Sequence, residues 1–89
     1  MSAVARLLIV DDNKVNRLLL SRSVEMLGYD ASVAENGRIA MEQLRAAPFD
    51  LLLLDIEMPE MDGFEVLEAI KLDPDLRDIP VIVTSSVEG

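Results

Sequence analysis

The stretch Phe49–Gly63, "FDLLLLDIEMPEMDG", sets four consecutive leucines (Leu51–Leu54) directly before a carboxylate, Asp55. An unbroken apolar run of this kind suits a strand covered on both faces, as in a parallel sheet flanked by helices. Phe64, Leu67 and Ile70 then recur at helical spacing. Asp62 is positioned to cap that helix, with Glu65 three residues on as in a capping box. Asp73-Pro74 stops it. The stretch therefore reads as strand, loop and helix, with an acid at the strand's carboxyl end.

The same grammar extends in both directions. Leu7–Val10 is a second unbroken apolar run, and it too ends in acids, Asp11 and Asp12. Asn13 can cap the helix that follows and Gly28 can end it. Val15, Leu18, Leu19 and Met26 give that helix an apolar face, while Leu20, Val24 and Leu27 lie on another side. Ala31–Ala34 reads as a weak strand. Asn36-Gly37 suggests a hairpin in isolation, but helical spacing follows, with Ile39, Ala40, Leu44 and Ala47 inward and Pro48 beyond the end. Ile79–Ser85 reads as the last strand, with Pro80 tolerated at its start. The order β-α-β-α-β-α-β predicts an α/β, doubly wound, parallel sheet with helices on both faces.

Composition narrows the function. The 89 residues suffice for one small domain, and a hydrophobic fraction of 51% supports a packed core. The net charge of −9 and the lack of any basic run argue against direct nucleic-acid binding. Cysteine and histidine are absent, which excludes disulfides, thiolate metal sites and a phosphohistidine on this chain. No secretory leader or membrane-length apolar stretch is visible, so a cytoplasmic location is expected.

In an open parallel sheet, ligands bind beyond the carboxyl ends of the strands, where the strand order reverses. In a flavodoxin-like order 2-1-3-4, Asp11, Asp12 and Asp55 meet at that point, and Thr84 lies at the same end of the fourth strand. Taken singly, each Asp reads as a cap or turn residue and Thr84 as an ordinary strand residue. Met58 and Met61 read as filler. Capping does not require three acids at the same ends of two adjacent strands, however. Such a cluster repels itself, and a hard divalent cation relieves the repulsion. An ionised carboxylate beside a cation can accept a phosphoryl group without a base, and a hydroxyl such as Thr84 can hydrogen-bond the new phosphoryl oxygens.

The segments "LLIVDDN" (Leu7–Asn13), "LLLLDIEMPEMDGFEVL" (Leu51–Leu67) and "IPVIVTSS" (Ile79–Ser86) resemble the receiver domain of two-component response regulators. The D-x-x-M-P-x-M-D-G block is the most specific part, and the likeness runs along the whole chain. It implies a flavodoxin-like fold and Asp55 as phosphoacceptor. It also implies Mg2+ or Mn2+ held by Asp12 directly, by Asp11 through water, by Asp55 and by the main-chain carbonyl of Glu57. Thr84 would be the switch hydroxyl, and Met58, Pro59, Asp62 and Gly63 would shape the loop beside the site. The implied partners are a histidine kinase or phosphotransfer protein and an output domain beyond Gly89 or a separate partner. No enzyme activity is implied beyond the domain's own phosphorylation and dephosphorylation.

The family pattern continues with a fifth strand, two further helices and a Lys that pairs with the phosphoryl group. None of these is found in residues 1–89, since Lys14 and Lys71 lie in other elements. The chain thus reads as a receiver domain incomplete at its C-terminus. The alternative function is a truncated, non-switching interaction or dimerisation module, associating through the fourth-strand edge or an uncovered Leu20/Val24/Leu27 face of the first helix. An aspartyl-phosphate phosphatase would want a second acid in a D-x-D pattern, where Glu57 stands here. A flavin carrier would want a Gly- or hydroxyl-rich loop after the first strand, which is lacking.

Overall fold

The computed structural model describes residues 4–55 and 63–84. Seven elements alternate along it: β1 (Arg6–Val10), α1 (Lys14–Met26), β2 (Asp30–Ala34), α2 (Gly37–Ala46), β3 (Leu51–Asp55), α3 (Gly63–Leu72) and β4 (Val81–Thr84). The four strands form one parallel sheet in the order β2-β1-β3-β4. The expected class, order and alternation are therefore observed.

The topology decides which side each helix takes. The chain steps outward from β1 through α1 to β2, then returns past β1 through α2 to β3. Right-handed crossovers run in opposite directions place their helices on opposite faces. Side chains alternate between faces along each strand. Leu7 and Ile9 of β1, with Leu51 and Leu53 of β3, meet Leu20 and Val24 of α1 on one side. Leu8, Val10, Leu52 and Leu54 meet Ala40, Met41 and Leu44 of α2 and Val66 and Ile70 of α3 on the other. Burying a Leu fully contributes about 1.5–3 kcal/mol, and Leu8, Leu52 and Leu54 are all fully buried. This explains the leucine run: β3 is central, with Leu52 and Leu54 fully buried on one face and Leu51 and Leu53 partly buried on the other.

The apolar face expected of α1 is corrected. Val15, Leu18, Leu19 and Met26 are all exposed, Val15 at 63% and Leu19 at 59%. Leu20 and Val24, expected to be uncovered, are the pair that packs on the sheet, while Leu27 stays exposed. Apolar residues surround α1 on several sides, so their spacing fixes the helix but not the direction it faces. In α3, Phe64 is exposed and Val66 takes the buried place expected of it.

The ends of α1 follow expectation. The Asn13 side chain accepts hydrogen bonds from the main-chain N–H groups of Val15 and Asn16, at 2.9 and 3.1 Å. At the other end Gly28 has φ +95°, its N–H donates to Glu25 O at 2.9 Å and the Tyr29 N–H donates to Val24 O at 3.3 Å. That is a Schellman termination, in which glycine removes the steric cost of a left-handed residue.

Candidate functional site

Strand register brings the acids together. Val10 pairs with Leu54 across the centre of the sheet, so the next residues, Asp11 and Asp55, leave the same edge side by side. Oxygen atoms of Asp11, Asp12 and Asp55 all lie within 4.8 Å of one another. Asp11 and Asp55 are buried, with 5% and 4% exposure, whereas Asp12 is exposed. Two carboxylates at the floor and one at the rim thus form a cup lined by hard oxygen donors.

Asp11 is held by several bonds. Its N–H extends the β1–β2 ladder by donating to Ala34 O at 3.1 Å. Its Oδ1 accepts the Asn13 N–H at 2.9 Å, closing a tight turn before α1. Its main-chain carbonyl accepts a hydrogen bond from Arg17 Nη1 at 2.8 Å. The positive end of the α1 dipole lies immediately behind the acidic pair. Thr84 is the register partner of Asp55 in the β3–β4 pairing, and its Oγ1 donates to Leu54 O at 3.4 Å.

Four of the sequence-predicted site residues are thereby brought to one end of the sheet: Asp11, Asp12, Asp55 and Thr84. Gly63 opens α3 and is buried. Glu57, Met58, Pro59 and Asp62 lie outside the described residues. The sequence reading missed Arg17. Its signal was a cation in the first turns of a helix, where the macrodipole favours acids instead.

A family model for the response regulator receiver domain matches residues 7–89. The chain belongs to that family. The response regulator PleD of Caulobacter vibrioides is 39% identical over 85 residues, spanning 96% of this chain and 19% of PleD. The chemotaxis protein CheY4 of Vibrio cholerae superposes with a TM-score of 0.91 at 30% identity, over 98% of this chain and 72% of that one. The response regulator TrrA of Thermotoga maritima, solved in complex with Mg2+-BeF, gives 0.87 at 34% identity, over 96% of this chain and 72% of that one. The receiver domain therefore spans less than a fifth of PleD. Receiver domains are signalling modules of two-component systems rather than enzymes in their own right, and they interact with histidine kinases or phosphotransfer proteins. Among the described residues, no helix of this receiver domain is long and apolar enough to cross a membrane.

Proposed function

We propose that this receiver domain accepts a phosphoryl group on Asp55 from a phosphohistidine of a kinase or phosphotransfer protein, and that the modification regulates an output domain or partner. The observation that carries this reading is the meeting of three carboxylates within 4.8 Å at the carboxyl ends of β1 and β3. Among the described residues the cluster offers carboxylate oxygens, and two of its members are buried, which suits Mg2+ or Mn2+. Asp11, Asp12 and Asp55 would hold the ion, joined by the main-chain carbonyl of Glu57 as the family likeness implies. A bound cation there neutralises the cluster and the incoming phosphoryl charge.

The chain's own residues perform the rest. An oxygen of the Asp55 carboxylate attacks phosphorus, a P–O bond forms, the P–N bond to the donor imidazole breaks, and that imidazole leaves with the bonding pair and takes up a proton. Burial of Asp55 at the carboxyl end of β3 limits the water that can reach the acyl phosphate. Thr84 stands one strand away with a hydroxyl that can turn from Leu54 O to a phosphoryl oxygen. Met58, Pro59, Asp62 and Gly63 shape the facing loop in this reading. A cytoplasmic location fits a domain that meets kinases there.

Intact-mass measurement after incubation with Mg2+ and acetyl phosphate tests the proposal. A labile single-phosphoryl adduct is expected on the native chain and not on Asp55→Asn. Absence of any adduct on the native chain overturns it.

A second reading has its own support: a non-switching interaction or dimerisation module. Ile82 and Val83 on β4 are about half exposed, at 50% and 46%, which leaves the fourth-strand edge for such contact, whereas Leu20 and Val24 of the expected first-helix face pack on the sheet. Sedimentation at rising concentration, with and without acetyl phosphate, separates the two. Association independent of the phosphodonor, with no adduct, favours the second.

A further inference from the structure

We infer that Arg17 is a positioning residue of the acidic cluster, fixing the turn that aims the Asp11 carboxylate and thereby setting the affinity of the cluster for a divalent cation. The inference rests on the proposed reading of that cluster as a cation site.

The position of Arg17 is unusual for its charge. The first turn of α1 contains no acidic residue, and Lys14 and Arg17 occupy its opening turns instead. Cations are disfavoured there by the macrodipole. Lys14 and Arg22 on the same helix are exposed, but Arg17 is half-buried. A residue that breaks a local rule and gives up solvent calls for a compensating contact. The contact is the 2.8 Å bond from Nη1 to the Asp11 carbonyl.

That carbonyl lies where β1 leaves the sheet. The Asp11 N–H still follows the ladder toward β2, whereas its carbonyl turns to a side chain six residues on. Helical side chains lean toward the N-terminus, so a residue in the second turn of α1 can reach back over the cap. The Arg17 N–H also donates to Asn13 O at 3.0 Å, the first full helical bond. Arg17 therefore clasps the turn at both of its ends, through Asn13 by its main chain and through Asp11 by its side chain. Between those points the Asn13 N–H holds Asp11 Oδ1 at 2.9 Å. Loosening the clasp frees the Asp11 peptide, and with it the direction of a carboxylate that is otherwise buried and oriented. The planar guanidinium suits this duty, because its fork of donors is rigid.

The charge of Arg17 acts in the opposite sense, since a nearby cation repels a bound metal ion. Positioning and simple charge therefore predict opposite outcomes on removal. Arg17→Met keeps an unbranched apolar stem, and Arg17→Lys keeps the charge without the fork. Mn2+ affinity is read by electron paramagnetic resonance, and amide exchange of the metal-free protein by NMR. Loss of an outer-shell partner typically weakens metal binding by about 10–100-fold, so Arg17→Met is expected to bind Mn2+ at least about tenfold more weakly. Arg17→Lys should recover part of the loss. The Asn13 N–H should lose protection in Arg17→Met while the Leu52 and Val24 amides keep theirs. Mn2+ binding as tight as in the native chain, or tighter, overturns the inference, as does unchanged protection at Asn13. If the native chain takes no Mn2+, the cation reading fails, and exchange at Asn13 alone judges the role of Arg17 in the turn.

Discussion

Thr84 and Asp55 are register partners across the β3–β4 pairing, and the Thr84 hydroxyl is spent on the carbonyl of Leu54, one residue before the acid. At 3.4 Å this bond is long. It satisfies the hydroxyl in the resting domain at little cost to a later change of partner. Thr84→Val keeps the branched shape, and losing so weak a bond should change stability by less than about 1 kcal/mol. The variant should still form the Asp55 adduct. The amide shifts that modification produces along β4 should shrink, as measured by NMR before and after acetyl phosphate.

The three-acid cup predicts stabilisation by metal. A ligand that binds only the folded state contributes about 2.7 kcal/mol at a hundred times its dissociation constant. Saturating Mg2+ should therefore raise the melting temperature of the native chain. Asp12→Asn removes the exposed acid, so the metal-free variant should melt no lower than the native chain. Added Mg2+ should then give a markedly smaller increase. Calorimetric melts with and without Mg2+ check both expectations.

Val24 and Leu19 test the direction that α1 faces. Val24 is buried against β1, so Val24→Ala should cost about 1.5–3 kcal/mol. Leu19 is exposed, and Leu19→Ala should fall within about 0.5 kcal/mol of the native chain. Urea denaturation of the two variants gives the comparison.

Gly28 isolates backbone strain from packing. A Cβ built at this position meets nothing within 4 Å, so Gly28→Ala incurs only the cost of a left-handed backbone. That cost is about 1–2 kcal/mol. The variant should melt lower, with Mn2+ affinity unchanged, because the Schellman end of α1 is remote from the acids at its start.

The capping of α1 is a separate lever on the same turn. Asn13→Ala leaves the Val15 and Asn16 N–H groups without their side-chain acceptor. The expected destabilisation is about 1 kcal/mol, measured by urea denaturation. The Asn13 main-chain N–H bond to Asp11 Oδ1 survives the substitution, so cation affinity should fall less than in Arg17→Met.

These cases show which features the chain spells out locally. Leu7–Val10 and Leu51–Leu54 announced buried central strands because a run apolar at every position has few other folded uses. The acids after them were legible as a cluster once the strand order was assumed, since register follows from adjacency. The facing of α1 was not legible. Its buried stripe of Leu20 and Val24 competes with an equally apolar outer stripe, and the choice is made by the sheet rather than by the helix. Which acid of the Asp11-Asp12 pair is buried was also hidden, because it depends on where the turn leaves the sheet. Arg17 escaped for the same reason: its bond spans a turn whose path no spacing rule encodes.

The sheet order has a further consequence for how the domain conveys a signal. Asp11 follows β1 and Asp55 ends β3, the two central strands, whose Leu8, Leu52 and Leu54 are fully buried. Thr84 ends β4, the outermost of the described strands on its side, whose Ile82 and Val83 are half open to solvent. Opening free energies in proteins follow this kind of burial gradient. Among the described residues the acids therefore sit on well-packed strand ends and Thr84 on a less buried one. A group bonded to Asp55 and grasped by Thr84 would lend the stiffness of the centre to the margin, so that a local chemical event is felt as a quieting of the outer strand.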